Sequence, residues 1–294
     1  MRTLILALLV SAICCSLLVT REYTEYLKKT VSWEVVDYED NVFRGWTTED
    51  AKNFLGAVPM MSGMNLPYFE PTTPAPAALS WLGANCIHDV RNQGNCGSCW
   101  AFGLAGMLAD RCCLSGTDQG WLSPQELVSC DKKSSGCSGG WPEVALQYVS
   151  EKKGLVPEAC YPYKGINAVC PTKCADGKEW TASHVCACKE PKRCRGIEAM
   201  KGCLASGPIE VTFGVCNSFF SYKTGVYKCD CGGSYAGLHA VTAVGFGSDP
   251  ECHWVVRNSW GASWGDKGYF KMACNQCGMD GTYEQGNVFC EKVV

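Results

Sequence analysis

Twenty-three of the 294 residues are cysteine, and where they fall constrains the chain more than any other feature. Cys14 and Cys15 lie inside the first apolar run, Leu4 to Val19, which leaves 21 for the remainder. From Arg21 to about Phe69 there is no cysteine at all. An exported chain this rich in thiols is expected to be laced by disulfides. An odd number leaves at least one thiol free, and the odd thiol of a secreted chain is a candidate for reactivity.

Export is the reading of residues 1–19. One arginine precedes an apolar run broken by serines and cysteines, and the charged REYTEYLKK follows. That pattern predicts a secretory signal, too short and too weak for a membrane span, with an uncleaved anchor as the alternative. After the cysteine-free stretch comes PTTPAPA, residues 71–77, whose prolines and small residues suit an exposed linker. The expected organisation is a signal over 1–19, a pro-segment over 20–74 and a mature unit over 75–294. A chain of 294 residues buries a full core, as one large domain or two lobes, without a cofactor to hold it. A net charge of -3 gives no basic field, so neither nucleic-acid binding nor stable membrane association is expected.

Within the mature unit, QGNCGSCWAF (residues 93–102) places Cys96 and Cys99 in a glycine-rich turn. The pair reads equally as a metal clip, a local disulfide or a reactive thiol. Ser98 can cap a helix whose apolar positions Ala101, Leu104, Ala105, Leu108 and Cys112 share one face. Cys99 then sits in the first turn, where the helix dipole and open backbone donors favour a thiolate. A thiolate enzyme needs a base, usually histidine. His88 and His184 stand in short polar loops that suggest no role. His239 opens the alternating run HAVTAVGFG, and ECHWVVRNSW follows a turn at Ser248 to Pro250, which together read as a β-hairpin. With the turn centred near residue 249 or 250, His239 lies roughly opposite Trp260 and has Asn258 as a diagonal neighbour within side-chain reach. His253 is five residues before Asn258 on the same strand, so it points to the other face and reads as an ordinary strand histidine.

QGNCGSCWAF, a later histidine and NSWG together resemble the papain-like cysteine proteases, in which the histidine and asparagine lie about 130 to 150 residues after the cysteine. Here the separations are 140 and 159. PAALSW, LSPQELVSC, CSGGWP, EACYPY, SGPIEVTF, YKTGVY and WGDKGYFKM extend the likeness over the mature unit. ADRCCL, CPTKC and CGMD resemble the cathepsin B-like branch, and NVFRGWTTEDAKNFLG resembles its propeptide. The resemblance implies an α+β, two-lobed fold: a helical lobe over about 75–185, a barrel-like β lobe over about 186–294, and the active cleft between them.

The resemblance also implies roles. Cys99 would attack the scissile carbonyl, His239 would pair with it and protonate the leaving amine, and Asn258 would hold the imidazole. Gln93 and the Cys99 backbone N–H would stabilise the oxyanion. Trp260 would shield the histidine and asparagine and border the substrate. Gly139 and Gly140 would pair with an extended substrate, next to a Ser138 that replaces the family's usual asparagine. Asp280 falls where the cathepsin B-like branch has a glutamate, and would accept an arginine two residues before the cut. Between Tyr163 and Cys174 the chain has only KGINAVCPTK, so the occluding loop of cathepsin B is absent and an endopeptidase is expected. Leu238, beside the histidine, departs from the small or polar residue expected there.

The family pattern pairs Cys96 with Cys137, Cys86 with Cys113, Cys130 with Cys170 and Cys160 with Cys174, which leaves Cys99 free. It does not account for cysteines 112, 186, 188, 194, 203, 216, 229, 231, 252, 274, 277 and 290. They lack the regular paired hooks of structural zinc, so disulfides are expected of them. The whole reads as a secreted or vacuolar, lysosome-like cysteine endopeptidase made as a zymogen. It would be a monomer without metal or cofactor, acting on proteins and peptides and inhibited by its own pro-segment. The alternatives are an inactive cysteine-rich binding protein on the same scaffold, and a metal-binding protein built on the surplus cysteines.

Overall fold

The computed structural model describes residues 17–59, 66–231, 235–281 and 287–294. The expected signal therefore lies almost wholly outside the described residues. Leu18 and Val19, at its end, are buried in the core.

The N-terminal segment begins with helix α1 (Arg21–Thr30). The Thr20 hydroxyl accepts the Tyr23 N–H at its start, Glu22 lies in the first turn, and Lys28 and Lys29 lie in the last, each charge matched to the helix dipole. Strand β1 (Glu34–Val35) pairs with β5 (Tyr222–Thr224) of the body. Helix α2 (Thr48–Lys52) opens with a reciprocal capping box between Thr47 and Asp50. The PTTPAPA stretch that follows is mostly exposed, as an extended linker should be.

The helical lobe is built on α3 (Cys99–Leu114), against which α4 (Pro124–Cys130) and α5 (Pro142–Lys152) pack. The sequence predicts one buried face for α3, yet every residue from Cys99 to Cys112 is buried. The reason is that α3 lies between the other helices on one side and the β sheet on the other, so no face is left to water. Ser98 occupies the N-cap position but makes no capping hydrogen bond. Its hydroxyl meets the Tyr163 hydroxyl at 2.7 Å instead, so the expected cap is not formed.

The β lobe is one sheet in the order β3 (Pro191–Arg193), β10 (Val288–Cys290), β4 (Ile209–Val215), β7 (Gly237–Gly247), β8 (His253–Arg257), β9 (Tyr269–Ala273), β6 (Val226–Tyr227). Strand β2 (Leu79–Ser80), just after the PTTPAPA stretch, adds to β7 opposite Phe246 and Gly245. Helix α6 (Ile197–Ala205) packs on β7. β7 and β8 are the hairpin read from the sequence, in register from Gly247 opposite His253 to Thr242 opposite Arg257, with a bulge near Ala243. Continued past Arg257, that register sets His239 across from Trp260. The two lobes and the N-terminal segment share one hydrophobic cluster, and a smaller one gathers around Trp180 and Tyr161. Among the described residues no helix is long and apolar enough to cross a membrane.

Ten disulfides cross-link the body between Cys86 and Cys290. Four are the pairs the resemblance implies: Cys86–Cys113, Cys96–Cys137, Cys130–Cys170 and Cys160–Cys174. The other twelve cysteines pair as 112–186, 188–290, 194–203, 216–231, 229–277 and 252–274. Cys99 is the free thiol among the described residues.

Candidate active site

Cys99 is the first residue of α3 and is fully buried. The turn before it is fixed from two directions: Cys96 is bonded to Cys137, and the Gly97 N–H donates to the Cys137 carbonyl at 2.9 Å. Across the lobe boundary, His239 lies near the start of β7, paired with Phe213 of β4. Its Nε2 meets Asn258 Oδ1 at 2.7 Å, the diagonal contact the hairpin register predicts. The Trp260 ring lies over the imidazole with centroids 4.7 Å apart. Stacked Phe220 (5.1 Å) and edge-on Phe43 (5.4 Å) close the outer side of that indole, so water is kept from the His239–Asn258 bond.

Gln93 is fully buried and tightly held. Its Oε1 accepts from the Ser259 hydroxyl at 2.7 Å, and its Nε2 donates to the Cys96 carbonyl at 2.9 Å and the Phe54 carbonyl at 3.1 Å. The Gln93 backbone donates to Ser259 and accepts from the Tyr163 hydroxyl. Ser259 and Tyr163 orient this amide, and sequence reasoning missed both. The serine of NSWG and the last tyrosine of EACYPY were visible as motif letters but not as its partners.

The Phe54 contact shows what occupies the site. After a turn at Asn53–Phe54, residues 55–58 of the N-terminal segment run between the lobes, with Ala57 bridging Gly140 on one side and Leu238 on the other. The Gly140 N–H donates to the Gly56 carbonyl at 2.9 Å, and the Val58 N–H donates to the Gly140 carbonyl at 3.0 Å. On the other side the Ala57 N–H donates to the Leu238 carbonyl at 3.3 Å. Leu238 thus contributes through its backbone, which any residue supplies. Gly140 pairs with the segment, and Gly139 lies against it: a Cβ on Gly139 would stand 2.9 Å from the Gly56 carbonyl oxygen. The Gly56 N–H points at Cys99 Sγ, 3.2 Å away, so the thiol accepts from the backbone of the segment. Gly56 itself is required here, since a Cβ on it would stand 1.8 Å from the Gly97 carbonyl oxygen.

Under this cover the electrostatics are those of an idle pair. Burial pushes the Cys99 thiol up to about 11, against the opposing pull of backbone donors at Ala240, Gly56 and Trp100. Burial likewise pushes the His239 imidazole down to about 4, against its bond to Asn258 and the influence of the Phe54 backbone. Both groups are neutral near pH 7. Another residue the sequence reading missed lies nearby: Glu210 on β4 is fully buried, and neither carboxylate oxygen has a hydrogen-bond partner among the described residues. Burial, and then the charge of Glu143, holds its carboxyl well above the usual carboxylate range. The signal for it was an acid inside the otherwise apolar strand IEVTFGV.

The remaining candidates fall elsewhere. Asp280 is buried, and its backbone carbonyl accepts the Gly196 N–H at the start of α6. His253 is buried, with Nδ1 at 2.8 Å from the Glu251 carbonyl, away from His239. His88 and His184, read as loop residues without partners, each meet a buried carboxylate: His88 Nδ1 lies 2.9 Å from Asp110, and His184 Nε2 lies 2.8 Å from Glu126. Those contacts come from acids distant in sequence, which local pattern does not reveal.

A buried thiol opening a helix, an imidazole held by an amide on the facing sheet and a carboxamide donor beside them are the parts of a thiol-dependent acyl-transfer enzyme. Residues 75–286 match the model of the papain family cysteine proteases. The chain belongs to that family and is a cysteine peptidase. It is 38% identical over 210 residues to the cathepsin B-like CP3 of Giardia intestinalis, covering 67% of this chain and 68% of that one. It is 35% identical over 236 residues to a gut-specific cysteine proteinase of Caenorhabditis elegans, covering 70% of each. Among solved structures, procathepsin B S9 of Trypanosoma congolense superposes with a TM-score of 0.82 at 26% identity, over 94% of this chain and 99% of that one. That span takes in the N-terminal segment together with the body.

Proposed function

We propose that this protein is the zymogen of a secreted or vacuolar cysteine endopeptidase, with residues 20–74 as a pro-segment removed near Ala75 and residues 1–19 as a cleaved signal. Cys99 is the nucleophile. His239 takes its proton, forms the thiolate–imidazolium pair once the segment has left, and returns the proton to the leaving amine. Asn258 keeps Nε2 engaged, so that the other ring nitrogen serves the thiol. Gln93 Nε2 and the Cys99 N–H stabilise the oxyanion of the tetrahedral intermediate. Water then releases the acyl group from sulfur. Protein and peptide substrates lie extended along Gly139 and Gly140, bordered by Trp260.

The observation that carries this reading is the peptide carbonyl of Phe54 on Gln93 Nε2, beside a free thiol. A carbonyl from a covering strand already rests on the donor assigned to the oxyanion. The short stretch between Tyr163 and Cys174 supports an open cleft and endopeptidase action. Asp280, buried in the turn whose carbonyl meets Gly196 before α6, is assigned to arginine preference at the substrate position two before the cut.

The test is hydrolysis of fluorogenic peptides by processed protein at mildly acidic pH under gentle reduction, with Cys99→Ala as control. Activity that is blocked by an epoxide thiol inhibitor and lost in Cys99→Ala is expected. A folded, fully processed sample with no activity overturns the reading in favour of a binding protein on this scaffold. Stepwise release of C-terminal dipeptides would overturn the endopeptidase assignment alone. An Asp280→Ala variant with unchanged arginine preference would remove that residue's role.

A further inference from the structure

Arg257, the last residue of β8, immediately precedes Asn258 and is buried. Asp110 lies on α3, eleven residues after Cys99 on the same helix, and is fully buried. The two meet across the lobe boundary. Arg257 Nη2 lies 2.9 Å from Asp110 Oδ2, an ion-pair contact not aligned as a hydrogen bond, and Nη1 donates to Oδ1 at 3.3 Å. Nη1 also donates to the His88 carbonyl at 2.8 Å, and the guanidinium lies 5.4 Å from the Trp121 ring centroid. The fit depends on a glycine of α3: a Cβ on Gly106 would stand 2.7 Å from Arg257 Nη2.

An ion pair this deeply buried is a poor source of stability, because desolvating both charges offsets most of their attraction. Its geometry has another consequence. One partner sits on the helix that carries the nucleophile. The other is covalently next to the amide that orients the imidazole. Opposite Arg257 on β7 stands Thr242, whose hydroxyl donates to the Gly103 carbonyl of α3 at 3.2 Å, a second tie at the same level.

We infer that Arg257 and Asp110 are positioning residues: their buried pair clamps the strand end at Asn258 to the helix of Cys99, and so fixes His239 against the thiol. The inference rests on the proposed catalytic roles of Cys99, His239 and Asn258. The other charged and titratable groups facing the pair are His88, whose Nδ1 meets Asp110 and whose Nε2 meets Asp118, and Tyr269, on which the charges of Arg257, Asp110 and Asp89 act.

The experiment compares processed wild type, Arg257→Met and Arg257→Lys for kcat, KM and the pH dependence of kcat/KM. Thiol alkylation against pH serves as a readout independent of substrate. Loss of the clamp is expected to lower kcat about 10- to 100-fold with KM little changed, as displaced catalytic groups do. It also narrows the pH range over which Cys99 alkylates fast, and Arg257→Lys recovers part of both. If Arg257→Met fails to fold because buried Asp110 keeps only its His88 contacts, the double variant Arg257→Met with Asp110→Leu replaces it, and the same losses are expected. A folded variant with a lower Tm but unchanged kcat and unchanged pH limits overturns the inference. Inactive wild type would instead overturn the proposed function, so the two failures are told apart.

Discussion

The N-terminal segment and the body of the molecule are held by different physics. The body carries ten disulfides between Cys86 and Cys290, whereas the segment up to residue 59 has no cysteine after the first apolar run. The segment is seated by burial and backbone pairing. Phe43 packs edge-on to Phe220 (5.0 Å) and to Trp260, Trp46 packs on Phe54 (4.9 Å), and Gly56 threads past Gly97 into the site. The difference is one of reversibility. Disulfides constrain the body whether or not the segment is bound, while every contact of the segment can be exchanged for water. A covering strand that must leave without unfolding what it covers has to be built this way.

The comparison breaks most visibly at Gly56. In the uncleaved chain, Gly56→Val cannot pass Gly97, so the strand is expected to lift from Cys99 and the thiol to alkylate about tenfold faster or more, as its burial is lost. Time-resolved alkylation at fixed pH reads this directly. An unchanged rate would mean that the segment is not what buries the thiol. Next in size is Phe43→Ala, which removes a ring enclosed by four aromatic neighbours and costs about 3 to 5 kcal/mol of the segment's hold, as for a core phenylalanine. Hydrogen exchange should show the segment opening while the Tm of the disulfide-bonded body stays where it was. A matching fall in body Tm would show that the two regions unfold as one.

A smaller effect is expected from acid. His239 is held down to about 4 while the segment is seated and regains an ordinary histidine pKa when it is exposed. The seated state therefore binds fewer protons than the open one. Its stability is intact above the ordinary histidine pKa and falls steadily as pH drops toward 4. Asp37 and Asp50, whose carboxyls are held low by Lys28 and by the Thr47 cap, push the same way below the carboxylate range. Hydrogen exchange of residues 47–58 in Cys99→Ala, corrected for the intrinsic pH dependence of exchange, should show opening that grows from pH 7 to pH 4. Opening that is flat over that range would show His239 to be uninvolved.

Local sequence revealed the parts of the site whose geometry is local. The hairpin register placed Asn258 beside His239 because strand pairing is a fixed lattice, and the odd cysteine count called for a free thiol, which the helix-start position and the resemblance assigned to Cys99. Ser98 misled because its hydroxyl found Tyr163, 65 residues away, before it found the helix. The single apolar face assigned to α3 was wrong for a related reason: a pattern of small residues such as Gly103 and Gly106 encodes contact with a sheet that only tertiary structure supplies. The buried acids Glu210 and Asp110 were illegible because a charge in a strand or helix reads as surface until its surroundings are known. The six extra disulfides were expected as a class, yet their partners lie 9 to 102 residues apart and no local rule selects them.

The smallest expected effect is the sharpest check on burial as the cause. Lys223 Nζ on β5 meets Glu34 Oε1 on β1 at 2.6 Å, joining body and segment where these two strands pair. Both side chains are more than half exposed, so solvent and salt screen the pair and the entropy of fixing two long side chains offsets its attraction. Lys223→Ala is expected to leave exchange in the segment and alkylation of Cys99 unchanged at any ionic strength. Release of the segment by that substitution, or by high salt alone, would mean that charge steers and holds it. The contrast between a covalently braced body and a segment seated by burial would then have to be redrawn around its surface ion pairs.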